Sequence, residues 1–381
     1  EAQVVDISAI PLIVDTIVDE YDGDFSDGDR SLREVIGLAN GSAGINTILF
    51  SPDINTQTIA LALGTLQVTE GIILQGNGSE NTIISGLGAF RVFEFVDPVG
   101  GMTLNSVTVT GGSATTVGGG AILFSSAGQL TIVNSTISLS QSTGANARGG
   151  AFHPLAPGAV RDSRTSTNRT PGGAPGGRPS SLTTNRTSLR PNSELSNTLT
   201  QGLGAARATI FTDGTAVNIV GGTITSNRTT GNNSAGGFIA SNSGTISLRN
   251  AEISGNFTRG DNSTGGAVSS SSGSVLISHS TLAENTTGVA GGFGGFGASG
   301  AGAHGGAVFT NTGSIQISNS TISGNRISGQ SAYGAGIFTN SGTVTIRNAT
   351  IANNQTLYSY GGGIVNFNGN STIHNSIVAT N

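Results

Sequence analysis

The 381-residue chain contains no cysteine and no tryptophan, and all sixteen of its Lys+Arg residues are arginine. The lack of cysteine excludes disulfide bonds and thiolate metal sites, although it does not assign the protein to a compartment. Charged residues make up only 10% of the chain. No apolar run approaches the roughly 18 residues that a membrane-spanning helix requires. What remains is a chain rich in Gly, Asn, Ser, Thr and Ile, whose order is strongly repetitive.

The few charges are unevenly placed. Fifteen of the 21 acidic residues precede position 100, and none follows Glu284. The repetitive part is therefore poor in charge, and its sequence contains no pattern that predicts a basic stripe. We therefore expect no nucleic-acid partner. The chain begins at Glu1 without a methionine or a signal segment, which favours an exported protein from which that segment has been removed.

One block of sequence recurs about every 29 residues. It reads as a glycine pair, a short apolar run, a turn, an Ile-x-Ile run, and then Asn-Ser-Thr-Ile or a close variant. The apolar residue after the glycines marks each copy, at Ile122, Phe152, Ile239, Val268, Val308, Ile337 and Ile364. The gap of 87 residues between Phe152 and Ile239 is three times 29, so two further copies are expected there. One of them begins at Ile210.

Each block contains three short runs with alternating apolar residues, which is typical of β-strands. A unit this small cannot bury a core alone and must stack on its neighbours. The sequence therefore predicts an all-β fold, a parallel β-helix of about 29 residues and three strands per coil. Ile132, Ile317 and Ile346 are predicted to stack in one inward column. The polar residue before Ser-Thr-Ile is predicted to form a hydrogen-bonded amide ladder, at Asn134, Asn250, His279, Asn319, Asn348 and Asn375.

The first hundred residues differ from the repeats. Ser31 and Glu34 form a Ser-x-x-Glu capping box, which predicts a short helix over residues 31–41 that Gly41 ends. Since the end of a solenoid exposes its core and its strand edges, this helix is expected to cover the first coil. We therefore divide the chain into residues 1–100, the cap and first coils, and residues 101–381, the repetitive body.

This N-terminal stretch resembles the CSLREA domain of exported bacterial β-helix proteins. Ser31, Leu32, Arg33 and Glu34 match the centre of the motif, whereas Arg30 stands where the motif has its cysteine. The repeats, with their Gly-Gly-Ala-Ile/Val and downstream Asn, are similar to those of the polymorphic outer membrane protein family. The resemblance implies an exported, surface-associated, right-handed β-helix, and it implies no activity.

Two segments depart from the repeat. Residues 153–207 contain six of the nine prolines, and proline removes a donor from a strand ladder. The segment is interpreted as a degraded pair of coils, as a loop excursion used for binding, or as the product of a reading-frame slip. A glycine-rich stretch, residues 288–306, lengthens one coil to 40 residues. It is either a plain flexible loop or a contact surface for self-association or a ligand, through Phe293 and Phe296.

Candidate chemistry is sparse. Asp22, Asp24, Asp27 and Asp29 crowd one turn, where their oxygens either hold Ca²⁺ or belong to a solvated acidic loop; no other cofactor is indicated. Asn-x-Ser/Thr sequons offer weak glycosylation candidates, among them Asn168, Asn256, Asn285 and Asn354.

Catalytic signals are weaker still. Glu252 and Glu284 lie about one coil apart and suggest a carboxylate pair of the kind used by polysaccharide-degrading β-helix enzymes. No nucleophile elbow, phosphate-binding loop or zinc-ligand spacing accompanies them.

The prediction is therefore a noncatalytic extracellular or cell-surface structural protein. The last coil is expected to be open, either because the natural chain continues past Asn381 or because another copy covers it. With a capped start, the second interpretation favours head-to-tail association into a fibre or surface layer. The alternatives are an adhesin that binds surface glycans and, third, a polysaccharide-degrading enzyme.

Overall fold

The computed structural model describes residues 10–96, 100–115, 119–125, 128–143, 151–154, 158–161, 163–171, 182–183, 187–189, 193–201, 208–212, 216–288, 302–329, 331–357 and 360–381. The chain forms a parallel β-solenoid in which each strand pairs with the equivalent strand one coil away. Ile210 pairs with Ile239 and Ile239 with Val268, at the predicted interval of 29 residues. The expected copies within the 87-residue gap begin at Leu182 and Ile210.

Among the described residues, sheet 1 is the longest of five parallel sheets and crosses the predicted boundary at residue 100 without a break, since Ile72 pairs with Met102. The sheet buries the predicted aliphatic column, in which Ile317 pairs with Ile346. Its thirteen strands are Ile13–Val14, Asn46–Phe50, Ile72–Gln75, Met102–Asn105, Leu130–Val133, Gly158–Arg161, Thr187–Leu189, Val217–Val220, Ile246–Arg249, Val275–Ser278, Ile315–Ser318, Thr343–Arg347 and Asn370–His374.

Sheet 2 follows sheet 1 around the coil and carries the second aliphatic column, in which Ile322 pairs with Ile351. Its twelve strands are Thr58–Ala60, Ile83–Ser85, Thr108–Thr110, Thr136–Ser138, Arg164–Ser166, Glu194–Ser196, Thr223–Thr225, Glu252–Ser254, Thr281–Ala283, Thr321–Ser323, Thr350–Ala352 and Ile377–Ala379.

Sheet 3 adds a fourth short strand to the three expected per coil, from the coil that starts at Met102 onward. In four of these strands the inward side chain is a fully buried threonine, as at Thr229 and Thr258, so no apolar run marks them. Its nine strands are Ser113–Ala114, Gln141–Ser142, Arg169–Pro171, Leu199–Gln201, Arg228–Thr230, Phe257–Arg259, Thr286–Gly288, Arg326–Ser328 and Gln355–Leu357.

The remaining strands form two sheets in succession. Sheet 4 contains Leu66–Val68, Phe93–Phe95, Ile122–Phe124 and Phe152–Pro154. Sheet 5 contains Leu182–Thr183, Ile210–Thr212, Ile239–Ser241, Val268–Ser270, Val308–Thr310, Ile337–Thr339 and Ile364–Asn366. Sheet 4 ends at a strand containing Pro154, which lacks an N–H donor. Sheets 1 to 3 nevertheless continue through residues 153–207. This continuity supports the interpretation of residues 153–207 as a degraded pair of coils.

The predicted cap is confirmed as helix α1, Leu32–Asn40, which contributes Leu32, Val35 and Ile36 to the core. Both hydrogen bonds of the capping box are present, and Gly41 caps the other end. A 3₁₀ turn, Pro52–Ile54, is the other helical element among the described residues. None of the helices in the described part of the chain is long and apolar enough to span a membrane.

The prediction that Asn134 through Asn375 form the amide ladder is wrong, because a different column of asparagines, at the next bend of the coil, forms it. The predicted residues, Asn134 through Asn375, turn the chain after sheet 1 with positive φ and exposed side chains. A serine follows four of them, and such serines accept a backbone N–H from the neighbouring coil, as where Ser280 N donates to Ser320 Oγ at 3.2 Å. The amide ladder lies between sheets 2 and 3, at Asn227, Asn256, Asn285, Asn325, Asn354 and Asn381.

Candidate functional site

The N-terminal motif residues fasten α1 to the first coil. Arg33 binds Asp19 through two hydrogen bonds, Nε–Oδ1 at 2.8 Å and Nη2–Oδ2 at 2.9 Å. Asp19 Oδ2 also accepts from the backbone N–H groups of Ala62 and Leu63, at 2.7 and 2.8 Å, and Arg33 Nη2 donates to the Gly64 carbonyl at 2.7 Å. Burial alone would raise the pKa of Asp19, but these hydrogen bonds outweigh it and lower that pKa. The pair therefore joins helix and coil.

The acidic turn is tied back to the same helix. Glu34 Oε1 accepts from the N–H groups of Asp22 and Gly23, at 3.1 and 2.8 Å. Arg30, at the motif's cysteine position, forms ion pairs with Asp15 and, at 3.0 Å, with Asp27. Much of the acidic turn is thus explained by its contacts with α1.

The four calcium candidates do not converge on one point. Asp22 and Asp24 each accept a backbone N–H two residues on, while Asp27 faces Arg30. Desolvation and the charges of Asp24 and Asp22 raise the pKa of Asp29. No group of three or more His, Cys, Asp or Glu side chains in the described ranges is arranged to hold a metal ion. Calcium binding stays a prediction, and binding by all four would require Asp27 to leave Arg30.

The proposed carboxylate pair is not formed. Glu252 is in register with Thr281, whereas Glu284 lies in the turn after the strand Thr281–Ala283, with φ of 56°. Phe293 and Phe296 lie outside the described residues.

The four sequons are unsuitable for glycosylation in the folded chain. Asn168, Asn256, Asn285 and Asn354 are at most 1% exposed. Asn285 Nδ2 donates to Asn325 Oδ1 at 3.0 Å and to the Ile253 carbonyl at 3.1 Å, so both of its amide hydrogens are used. A glycan on this nitrogen would remove one of these hydrogen bonds and force the chain open.

A column of rings follows the last coils beside sheet 5. His304 stacks on Phe338, with ring centroids 4.6 Å apart, and Tyr333 stacks on Tyr360 at 5.9 Å. Burial lowers the pKa of His304. We call His304, Phe309, Tyr333, Phe338 and Tyr360 the aromatic column.

The exposed large apolar side chains are concentrated near the two ends of the solenoid. We call the set in residues 18–63 the first end: Val18, Tyr21, Ile45, Leu49 and Leu63. We call the set in residues 357–378 the last end: Leu357, Tyr360, Phe367, Ile373, Ile377 and Val378. In the described residues between these two sets, three further large apolar side chains are exposed: Leu87, Val96 and Leu139.

The structure aligns several arginines of the body that are far apart in the sequence. The strands of sheet 3 carry Arg169, Arg228, Arg259 and Arg326, all exposed, and no acidic residue. We call this outer surface of sheet 3 the arginine face. Sequence reasoning missed it because it missed the strands that align these residues.

Comparison of the chain with protein-family models, with curated proteins and with solved structures finds no match. The resemblance to CSLREA-domain and polymorphic-outer-membrane-type proteins stays a prediction that rests on the motif residues.

Proposed function

We propose that this protein is a noncatalytic structural rod of the cell surface or extracellular space, and that its copies associate head to tail. The observation that carries the proposal is the contrast in charge between residues 1–50, with ten acidic residues and two arginines, and residues 285–381, with two arginines and no acidic residue, together with the exposed apolar side chains of the first end. Exposed apolar patches on a soluble protein commonly mark contact surfaces, and burying them between copies removes them from water.

The two inward columns of the solenoid continue into the coil that contains the strands Asn370–His374 and Ile377–Ala379. Ile373 continues the inward column of Ile346, and Val378 continues that of Ile351. Both are more than 40% exposed, whereas Ile346 and Ile351 are fully buried. Contact with another copy would bury these side chains as a further coil does.

The charges favour a head-to-tail arrangement over a tail-to-tail one. Residues 1–50 contain ten acidic residues and two arginines, a net charge of −8, whereas residues 285–381 contain Arg326, Arg347 and no acidic residue. A head-to-tail contact brings opposite charges together, and a tail-to-tail contact brings like charges together. Because a head-to-tail contact does not close on itself, it leads to filaments.

The fold and the resemblance support the surface role. Parallel ladders of this kind give a rigid rod, and the proteins that the chain resembles are exported. The buried amide ladder joins each coil from Asn227 to Asn381 to the next by hydrogen bonds, which suits a protein with a mechanical role.

Sedimentation velocity over a range of protein concentrations, with negative-stain microscopy, tests the proposal. We expect linear chains of rods for the wild type. Ile373→Arg and Val378→Arg place charge on the last end and should give monomers, while the matched change Val96→Arg on the side of the rod should leave the chains intact. Wild-type monomers at every concentration would refute self-association, and dimers that grow no further would refute the head-to-tail arrangement.

A further inference from the structure

The arginine face contains an open groove in the middle of the solenoid, far along the chain from both ends. The groove has a volume of about 450 Å³ and crosses three neighbouring coils. Its lining residues are Leu199, Gln201, Arg228, Thr230, Gly231, Asn232, Arg259 and Gly260. It is distinct from the end surfaces that the proposed association uses.

The register of sheet 3 places the two arginines of the groove diagonally. Arg228 pairs with Phe257, and Thr230 pairs with Arg259. Since Arg259 lies one coil and two residues away from Arg228, their Cα atoms are about 8 Å apart, from strand spacings of about 4.8 Å and 3.3 Å per residue. Both guanidinium groups can therefore contact neighbouring units of one extended ligand.

Glycines form the edge of the groove beyond these arginines. Gly231 and Gly260 have φ of 137° and 134°, which L side chains rarely adopt. A Cβ atom on Gly260 would lie 2.2 Å from the Gly231 carbonyl oxygen. The space next to the arginines is consequently kept free of side chains.

The arginines of the groove have no acidic partner in the described part of the chain. The ion pairs found there involve Arg30, Arg33 and Arg91, and Arg228 instead lies over the Phe257 ring, 5.5 Å from its centroid. Two exposed cations without ion-pair partners, one of them positioned by an aromatic ring, give a surface complementary to an anion.

The neutral polar residues favour a ligand with hydroxyl groups. Asn232 Oδ1 accepts from the Asp261 backbone N–H at 3.1 Å, which fixes the amide while its Nδ2 has no hydrogen bond among the described residues. Gln201 is exposed beside it, and Thr230 adds a hydroxyl. Nucleic acid is less well suited, because base stacking uses open aromatic faces and Arg228 lies over Phe257.

We propose that this groove binds an acidic polysaccharide, with Arg228 and Arg259 binding carboxylate groups of the chain and Gln201 and Asn232 binding its hydroxyls. The groove would let a rod of this kind adhere along its side to an anionic glycan surface. The proposal does not depend on end-to-end association.

Affinity electrophoresis and biolayer interferometry with immobilised polygalacturonate, at low salt, test the proposal on the full chain. The double variant Arg228→Gln/Arg259→Gln should weaken binding by about fivefold, since each exposed ion pair contributes a modest part of the affinity. The control Arg249→Gln/Arg347→Gln removes two exposed arginines of sheet 1 and should leave the affinity within about twofold. Both double variants should melt like the wild type, because all four side chains are exposed.

Three results would overturn the proposal. The first is that the wild type does not bind polygalacturonate, and the second is that the control variant loses as much affinity as the double variant of the groove. The third is that single-stranded poly(dT) displaces polygalacturonate at a lower concentration than free oligogalacturonate does. Neutral dextran should not compete. Added salt should weaken binding, because screening reduces the attraction between exposed charges.

Discussion

At the scale of single residues, the two bends of the coil use asparagine in opposite ways. At the bend after sheet 1, Asn319 and its equivalents adopt positive φ, which asparagine tolerates better than most residues. At the bend after sheet 2, Gly324 takes the positive φ, and Asn325 turns its side chain into the protein. Both columns recur with the same period, so period alone could not identify the ladder. Glycine immediately before asparagine, at 255–256 and 324–325, marks only two of the six ladder residues and also occurs elsewhere in the sequence.

Asn285→Ala should lower the free energy of unfolding by about 2–4 kcal/mol, because it leaves buried donors and acceptors unsatisfied on both neighbouring coils. Asn256 Nδ2 and N both lose the Asn285 oxygen, and Asn325 Oδ1 and the Ile253 carbonyl each lose the Asn285 Nδ2 donor. Urea denaturation followed by circular dichroism measures the loss.

Asn311→Ala is the matched control, since the exposed Asn311 side chain accepts one hydrogen bond from Asn340. It should change the stability by less than about 0.5 kcal/mol. Equal losses in the two variants would contradict the role assigned to the buried ladder.

At the scale of elements, the cap was predictable in detail, because a capping box and an apolar face are local features of the sequence. The partners of α1 were not, because Asp19 is remote from Arg33 and the carbonyl groups at residues 64 and 65 carry no sequence signal. Sheet 3 was missed for a related reason: its central threonines, as at Thr229, are buried without forming an apolar run.

Arg33→Ala should destabilise the first coil by about 3 kcal/mol, since it leaves the Asp19 carboxylate without its charged partner. In hydrogen exchange, the amides of residues 10–75 should lose protection before the amides of the later coils do. The control is Arg347→Ala, which removes an exposed arginine of sheet 1. In this variant the amides of residues 10–75 should keep the protection that they have in the wild type. Uniform loss of protection along the chain would contradict a local fastening role.

Acid should weaken the same junction. Because the folded-state pKa of Asp19 is lowered, its contribution to stability is present above the unfolded pKa and is lost as the pH falls through the folded pKa. Melting curves between neutral and acidic pH should therefore be less pH-dependent for Asp19→Asn than for the wild type. Unchanged pH dependence in that variant would contradict the assignment.

The aromatic column should respond to pH nearer neutrality. Burial lowers the pKa of His304 from 6.5, so the unfolded chain binds a proton before the folded chain does. The stability of the last coils is then complete above about pH 6.5 and declines as the pH falls below it. His304→Phe keeps a ring in the stack and should remove that decline in thermal melts, whereas Tyr333→Phe should leave it in place.

At the scale of the whole molecule, the periodicity was sufficient to predict the solenoid, because each coil contacts only its neighbours and one correct register fixes the next. Side-surface properties were harder to foresee. The arginine face depends on residues separated by 29 to 40 positions, such as Arg228, Phe257, Thr286 and Arg326, which become adjacent only once sheet 3 is known.

Charge complementarity predicts a salt effect on the proposed filaments. Raising the sodium chloride concentration from about 0.02 M to 0.5 M should shorten them, since the attraction between the acidic first end and the last coils is screened. Dynamic light scattering measures the change. Longer filaments at high salt would indicate an apolar contact in which charge plays no part.

The coil of unusual length has a practical consequence. Val268 pairs with Val308 across 40 residues, and Val308 pairs with Ile337 across 29, yet the ladders on both sides keep their register. Because the solenoid accommodates eleven additional residues between Gly288 and Gly302, it should also accept a foreign peptide inserted at this position. The rod would then serve as a display scaffold that presents the inserted peptide at a fixed position along its length.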